Sequence, residues 1–159
     1  MRPLNELGMT DKFGDIVSTP SPTPNQFKKV EMEIGFPLPV NYKTFLEFSN
    51  GGYSTLNTFR DKTGFQWVID RFFEITENID NTYHVLFKYQ HRWSKAPKGI
   101  VPFAQDGGGN LFCLDLRKEI PAPIVIWVHD TTGNPIREIA VSFEAFIDSL
   151  SIYDESLDQ

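Results

Sequence analysis

Chemistry in this chain would have to come from three histidines, a single cysteine and two glycine-rich runs. His84 and His91 are seven residues apart, so one helix face could present both, with Asp80 four residues before His84. Metal sites more often use histidines at i and i+4 with a third ligand, so a solvated helix face is the plainer expectation. His129 and Asp130 could form an acid–base pair, but no serine, cysteine or second carboxylate is placed by the sequence to work with them. Cys113 alternates with Phe112 and Leu114, the setting of a small core residue rather than a reactive thiol. Asn50-Gly51-Gly52 follows a helical stretch, whereas phosphate-cradling loops precede one, so it reads as a stop and a turn. Asp106-Gly107-Gly108-Gly109-Asn110 lacks the Lys and Ser/Thr that a phosphate loop needs and reads as a tight β-connection. No catalytic residue, metal or cofactor is expected from these patterns.

The charge balance narrows the partners. The chain has 159 residues, 15 basic and 21 acidic, for a net charge of −6. Phosphate binding draws most of its affinity from Lys and Arg, so direct nucleic-acid binding is not expected, while a basic protein would suit. One cysteine excludes a disulfide framework and a cysteine zinc site. The longest apolar run, Ile124–Val128, is far short of a membrane span, and the first residues lack a signal-peptide core, which makes the cytoplasm the default address. The 14 Phe, 5 Tyr and 3 Trp argue for a dense core.

The elements that must hold these residues follow from periodicity. Three prolines in Ser18–Asn25 exclude a helix or central strand there, and residues 1–23 read as a flexible lead-in. Phe27, Val30 and Ile34 share a helix face that Gly35 ends. Pro39 suits the first turn of a second helix, with Tyr42, Phe45 and Leu46 as its apolar stripe. Tyr53–Arg60 and Phe65–Ile75 read as a hairpin about the turn at 61–64, and Asn81–His91 as a third helix. Gly99–Gln105, Asn110–Arg117 and Ile124–Val128 read as strands, the last apolar throughout, with Trp127 in the core. Ser142 caps a closing helix whose Phe143, Phe146, Ile147 and Leu150 share a face. Residues 24–153 then form the folded domain and 154–159 an acidic tail.

These pieces, in this order, resemble the SUKH superfamily, which includes the fungal Smi–Knr regulators of cell-wall synthesis, Syd proteins and many bacterial immunity proteins. Glu33-Ile34-Gly35 closes the first helix, and Leu38-Pro39-Val40-Asn41-Tyr42-Lys43-Thr44-Phe45-Leu46 is similar to the family's LP-x-x-Y-x-x-F-L. Asn50-Gly51-Gly52, then Val101-Pro102-Phe103-Ala104 with Asp106–Asn110 and Cys113–Leu116, and finally Ser142-Phe143-x-x-Phe146 complete the match over roughly residues 24–150. Asn41 stands where the family more often has an acidic residue, and residues 1–23 have no counterpart. The resemblance implies an α+β fold, with helices around a central, mostly antiparallel sheet. It also implies a non-enzymatic immunity protein that binds and neutralises a cognate toxin, or else a Smi–Knr-like regulatory or scaffolding protein.

Expected contact residues follow from charge and exposure. Glu74, Glu77 and Asp80 form an acidic stretch with no basic residue among them, suited to covering the basic cleft of a nuclease toxin. Trp93, beside Arg92, fits either a binding anchor or the edge of the core. Asp106 would mark a glycine loop that a partner's backbone could approach.

Overall fold

A computed structural model of the chain describes residues 1–92, 95–118 and 120–158. Its elements are α1 (Pro24–Ile34), α2 (Val40–Phe48), a hairpin of β1 (Thr58–Arg60) and β2 (Gln66–Val68), β3 (Arg71–Phe72), α3 (Val85–Gln90), β4 (Ile100–Gln105), β5 (Leu111–Asp115), β6 (Ile124–Trp127), β7 (Ile136–Ala140) and α4 (Phe143–Ser149). Short 3-10 turns cover Leu4–Leu7 and Glu155–Asp158. The five strands β3-β4-β5-β6-β7 form one antiparallel sheet in chain order, and β1-β2 form a second, two-stranded one. The fold is therefore α+β, as the resemblance implies.

Local chemistry sets the helix ends. Thr23 and Gln26 bond reciprocally across the start of α1 in a capping box, with Pro24 as the first helical residue. Gly35 closes α1 at φ +80°, where an L side chain would be strained. Ser142 Oγ accepts from Ala145 N at the start of α4.

The apolar stripes meet on one face of the main sheet. Phe103 of β4 lies edge-on to Phe143 and Phe146 of α4, with ring centroids 5.5 and 5.4 Å away, and near Tyr42 of α2. Phe45, Leu46, Leu114, Ile126, Phe146 and Leu150 are all buried. Ile100, Cys113 and Val125 alternate onto the other face and form a small second cluster, with Trp127 partly buried beside it. Pro102 sits where the β4–β5 register shifts, the kind of irregularity that tolerates a strand proline.

Several expectations change. Phe65–Ile75 is split: β2 stays in the hairpin, while β3 crosses to edge the main sheet against β4. The third helix shortens to Val85–Gln90 because Asn78 and Asn81 side chains accept from Asp80 N and Tyr83 N and wind 78–83 into turns. β7 was not anticipated, since Arg137 and Glu138 interrupt its apolar alternation. Trp127 is half-buried rather than central. In the N-terminal segment Leu7 is fully buried, Thr10 pairs with Tyr53, and Arg2 Nη1 donates to the carbonyls of Ile147 and Leu150, while Phe13 and Ile16 are exposed.

Candidate partner-binding surface

The acidic stretch is held by the turn that precedes the hairpin. Asn50 is buried, and its Oδ1 accepts from Ile75 N at 2.9 Å. Its Nδ2 donates to Ile75 O at 2.7 Å and Pro20 O at 2.8 Å. One amide thus ties the end of α2 to the acidic segment and to the N-terminal segment. Gly52 has φ +108°, and a Cβ there would lie 2.7 Å from Thr10 O. The glycine is required by this close approach, so Asn50-Gly51-Gly52 acts as the turn that the sequence suggested.

His84 completes the bracket. It is buried, its Nδ1 accepts from Leu86 N at 3.0 Å, and its Nε2 contacts Thr76 O at the same distance. Those bonds assign the proton to Nε2 and make His84 the N-cap of α3. Burial, reinforced by the positive charge of Lys29, holds its pKa below the usual histidine value. The expected solvated face bearing His84 and His91 is therefore absent: His84 faces inward, while His91 stacks on Phe87.

Between these brackets the three acids differ. Glu74 is half-buried and accepts from Asn81 Nδ2 at 3.1 Å; burial raises its pKa against the opposing pull of Arg71. Glu77 is exposed and accepts from Gln26 Nε2 of α1 at 2.9 Å. Asp80 is exposed on the same segment. Asp106 lies on another loop, where its carboxylate accepts from Gly108 N, Asn110 N and Asn110 Nδ2 at 2.9, 2.8 and 2.7 Å and closes the β4–β5 turn. Trp93 lies outside the described residues.

The candidate chemical groups take structural places. His129 Nδ1 is 2.9 Å from Asn110 Oδ1, on the exposed side of the β4–β5 turn. Cys113 is fully buried, and burial raises its thiol pKa well above the ordinary value. Among the described residues no group of three or more His, Cys, Asp or Glu side chains could hold a metal ion. Among them, too, no helix is long and apolar enough to cross a membrane.

Two surface features escaped the sequence reading. A groove of about 510 Å³ runs between the start of α2 and the 116–122 connection, lined by Leu38, Val40, Ile120, Pro121 and Phe143. Val40 and Ile120 are exposed there. An apolar residue at the solvent side of a helix start was the available signal. The second feature is a cation–aromatic ladder: Arg71 Cζ lies 3.5 Å from the Tyr83 ring centroid and 5.2 Å from that of Tyr53, and Lys88 Nζ lies 5.4 Å from Tyr83. Those residues span 53 to 88, so no local spacing joins them.

Comparison with known proteins agrees with the fold. The family model described as the SMI1/KNR4 family (SUKH-1) matches residues 21–149. A protein of Bacillus subtilis (strain 168), described as the SPbeta prophage-derived uncharacterized protein YokK, is 27% identical over 157 residues, covering 86% of this chain and 77% of that protein.

Proposed function

We infer the function from one premise: this chain belongs to the SMI1/KNR4 (SUKH-1) family, by a match that spans residues 21–149. That match is the observation that carries the reading. The family includes immunity proteins, and the function proposed here is binding rather than catalysis: the chain captures a cognate toxin and blocks its active site or surface, with no cofactor. The target is a basic protein, and a nuclease fits best, because a net charge of −6 complements a nucleic-acid cleft.

Within the acidic segment, exposed Glu77 and Asp80 are the steering charges. Glu74 and Asp106 contribute chiefly by shaping their loops, since both carboxylates accept internal hydrogen bonds. Trp93 is retained as an anchor, to be tested by substitution. The open groove at Val40 and Ile120 supplies apolar contact area of the kind that interfaces use.

The test is expression of the product of the neighbouring gene, alone and with this chain. Growth arrest by that product, relieved by co-expression, is the expected result. A harmless neighbour that does not bind would transfer the reading to a Smi–Knr-like regulatory or scaffolding role.

A further inference from the structure

A cavity of about 150 Å³ lies in the seam between the N-terminal segment and β3, lined by Lys12, Ser18, Thr19, Tyr53 and Arg71. Two carboxylates, Asp11 and Glu74, complete the lining. One oxygen of each is engaged: Asp11 Oδ1 takes Phe13 N and Asp15 N at 2.8 and 3.0 Å, and Glu74 Oε1 takes Asn81 Nδ2. The Asn50 amide, also on the wall, is spent on Ile75 and Pro20.

The donors are in the opposite condition. Among the described residues, neither cation forms an ion pair, and the hydroxyls of Ser18, Thr19 and Tyr53 have no hydrogen-bond partner. Arg71 Nε is sealed from solvent with no acceptor. Its guanidinium is laid on Tyr83 and flanked by Tyr53, which fixes its plane before any ligand arrives. A fixed guanidinium fork with idle donors around it matches a carboxylate, and little rotamer freedom remains to be lost on pairing. A polyanion is disfavoured, because Asp11 and Glu74 stand on the same wall and the chain is acidic overall.

We propose that this cavity is an anion recess that receives one acidic side chain of the protein partner, paired to Arg71 with Lys12 at the mouth. The assignment rests on the protein-binding reading above and adds an acidic contact to an otherwise basic partner. It also gives the 11–19 segment a function, since that segment supplies one wall.

The test uses the full chain, isotope-labelled, titrated by NMR with N-acetyl-aspartate amide and, separately, with the matching asparagine compound. The expected result is saturable shifts at the Arg71 Nε–H and the amides of Gly52 and Tyr53 with the carboxylate only. Arg71→Gln should weaken binding by about 10-fold or more, and Arg71→Lys, which keeps the charge but loses the fork, by less. Lys62→Gln, at the distant hairpin tip, should bind as the native chain does. Equal response to both compounds, shifts without saturation, or an unchanged titration in both Arg71 variants would overturn the recess. If the probe fails while the neighbouring product still binds, the recess alone is lost; if that product neither poisons cells nor binds, the immunity reading is lost independently of the probe.

Discussion

Around Phe103 the chain is held by rings, and around Asn50 by hydrogen bonds from single side chains to backbone. In the first region Phe72, Phe143 and Phe146 lie against Phe103 of β4, Phe45 packs on Phe72, and the Tyr42 hydroxyl is buried with no partner among the described residues. In the second, Asn50 makes three bonds and His84 two. The ring region spreads its stability over many contacts. The polar region concentrates it in a few residues with no substitutes. The candidate partner surface stands on the second.

The comparison can be tested by substitution, taken from the largest expected effect to the smallest. Phe146→Ala removes a fully buried ring and should cost about 3–5 kcal/mol in denaturant unfolding. A loss below about 1 kcal/mol would mean that α4 does not close the core. Asn50→Ala strands the buried N–H and C=O of Ile75 and should cost about 2–6 kcal/mol, at about 1–3 kcal/mol for each unsatisfied group. It should also speed amide exchange across 74–84, which Phe146→Ala should do only together with the whole domain. Equal protection in both regions of Asn50→Ala would remove the distinction drawn between them.

Tyr42→Phe carries the opposite sign. Deleting an idle buried hydroxyl should leave stability unchanged or raise it by about 1 kcal/mol. A clear loss would show that the hydroxyl has a partner and that the ring region also depends on polar contacts.

The smallest expected effect is a pH slope. His84 is held below its ordinary pKa, first by burial and then by Lys29. The unfolded chain therefore takes up a proton near pH ~6.5 that the folded chain refuses. The contribution of His84 is complete above that pH and falls as the pH drops towards the folded value. Glu74, whose pKa is raised, works in the opposite direction at lower pH. His84→Asn keeps a capping oxygen and should flatten the loss of stability between pH 7 and 5. An unchanged slope would mean that His84 titrates alike in both states.

The same contrast explains what could be read from the chain alone. Phe143, Phe146, Ile147 and Leu150 announce α4 because burial leaves a period of 3.6, and Gly35 and Ser142 mark ends through local chemistry. Phe45, Leu46, Leu114, Ile126, Phe146 and Leu150, which the apolar stripes and strands single out, are buried. The polar region leaves no such trace: Asn50 and Ile75 are 25 residues apart, and nothing in the spacing of Tyr53, Arg71 and Tyr83 foretells a stack. His84 looked like one of two surface histidines because its capping bonds depend on where 78–83 turns. The acidic segment was visible as composition, but the division between half-buried Glu74 and exposed Glu77 and Asp80 was not.

The central claim is capture of a basic protein by a surface that carries exposed acids, and association kinetics test it most directly. The chain and the product of its neighbouring gene should form a complex whose association rate falls with added salt. Reversing Glu77 and Asp80 to Lys should slow that association about 3- to 10-fold at low salt, with little change at high salt. Complex formation at the same rate in the native and charge-reversed chains and at both salt concentrations would contradict the steering role, and no complex at all would contradict the immunity reading.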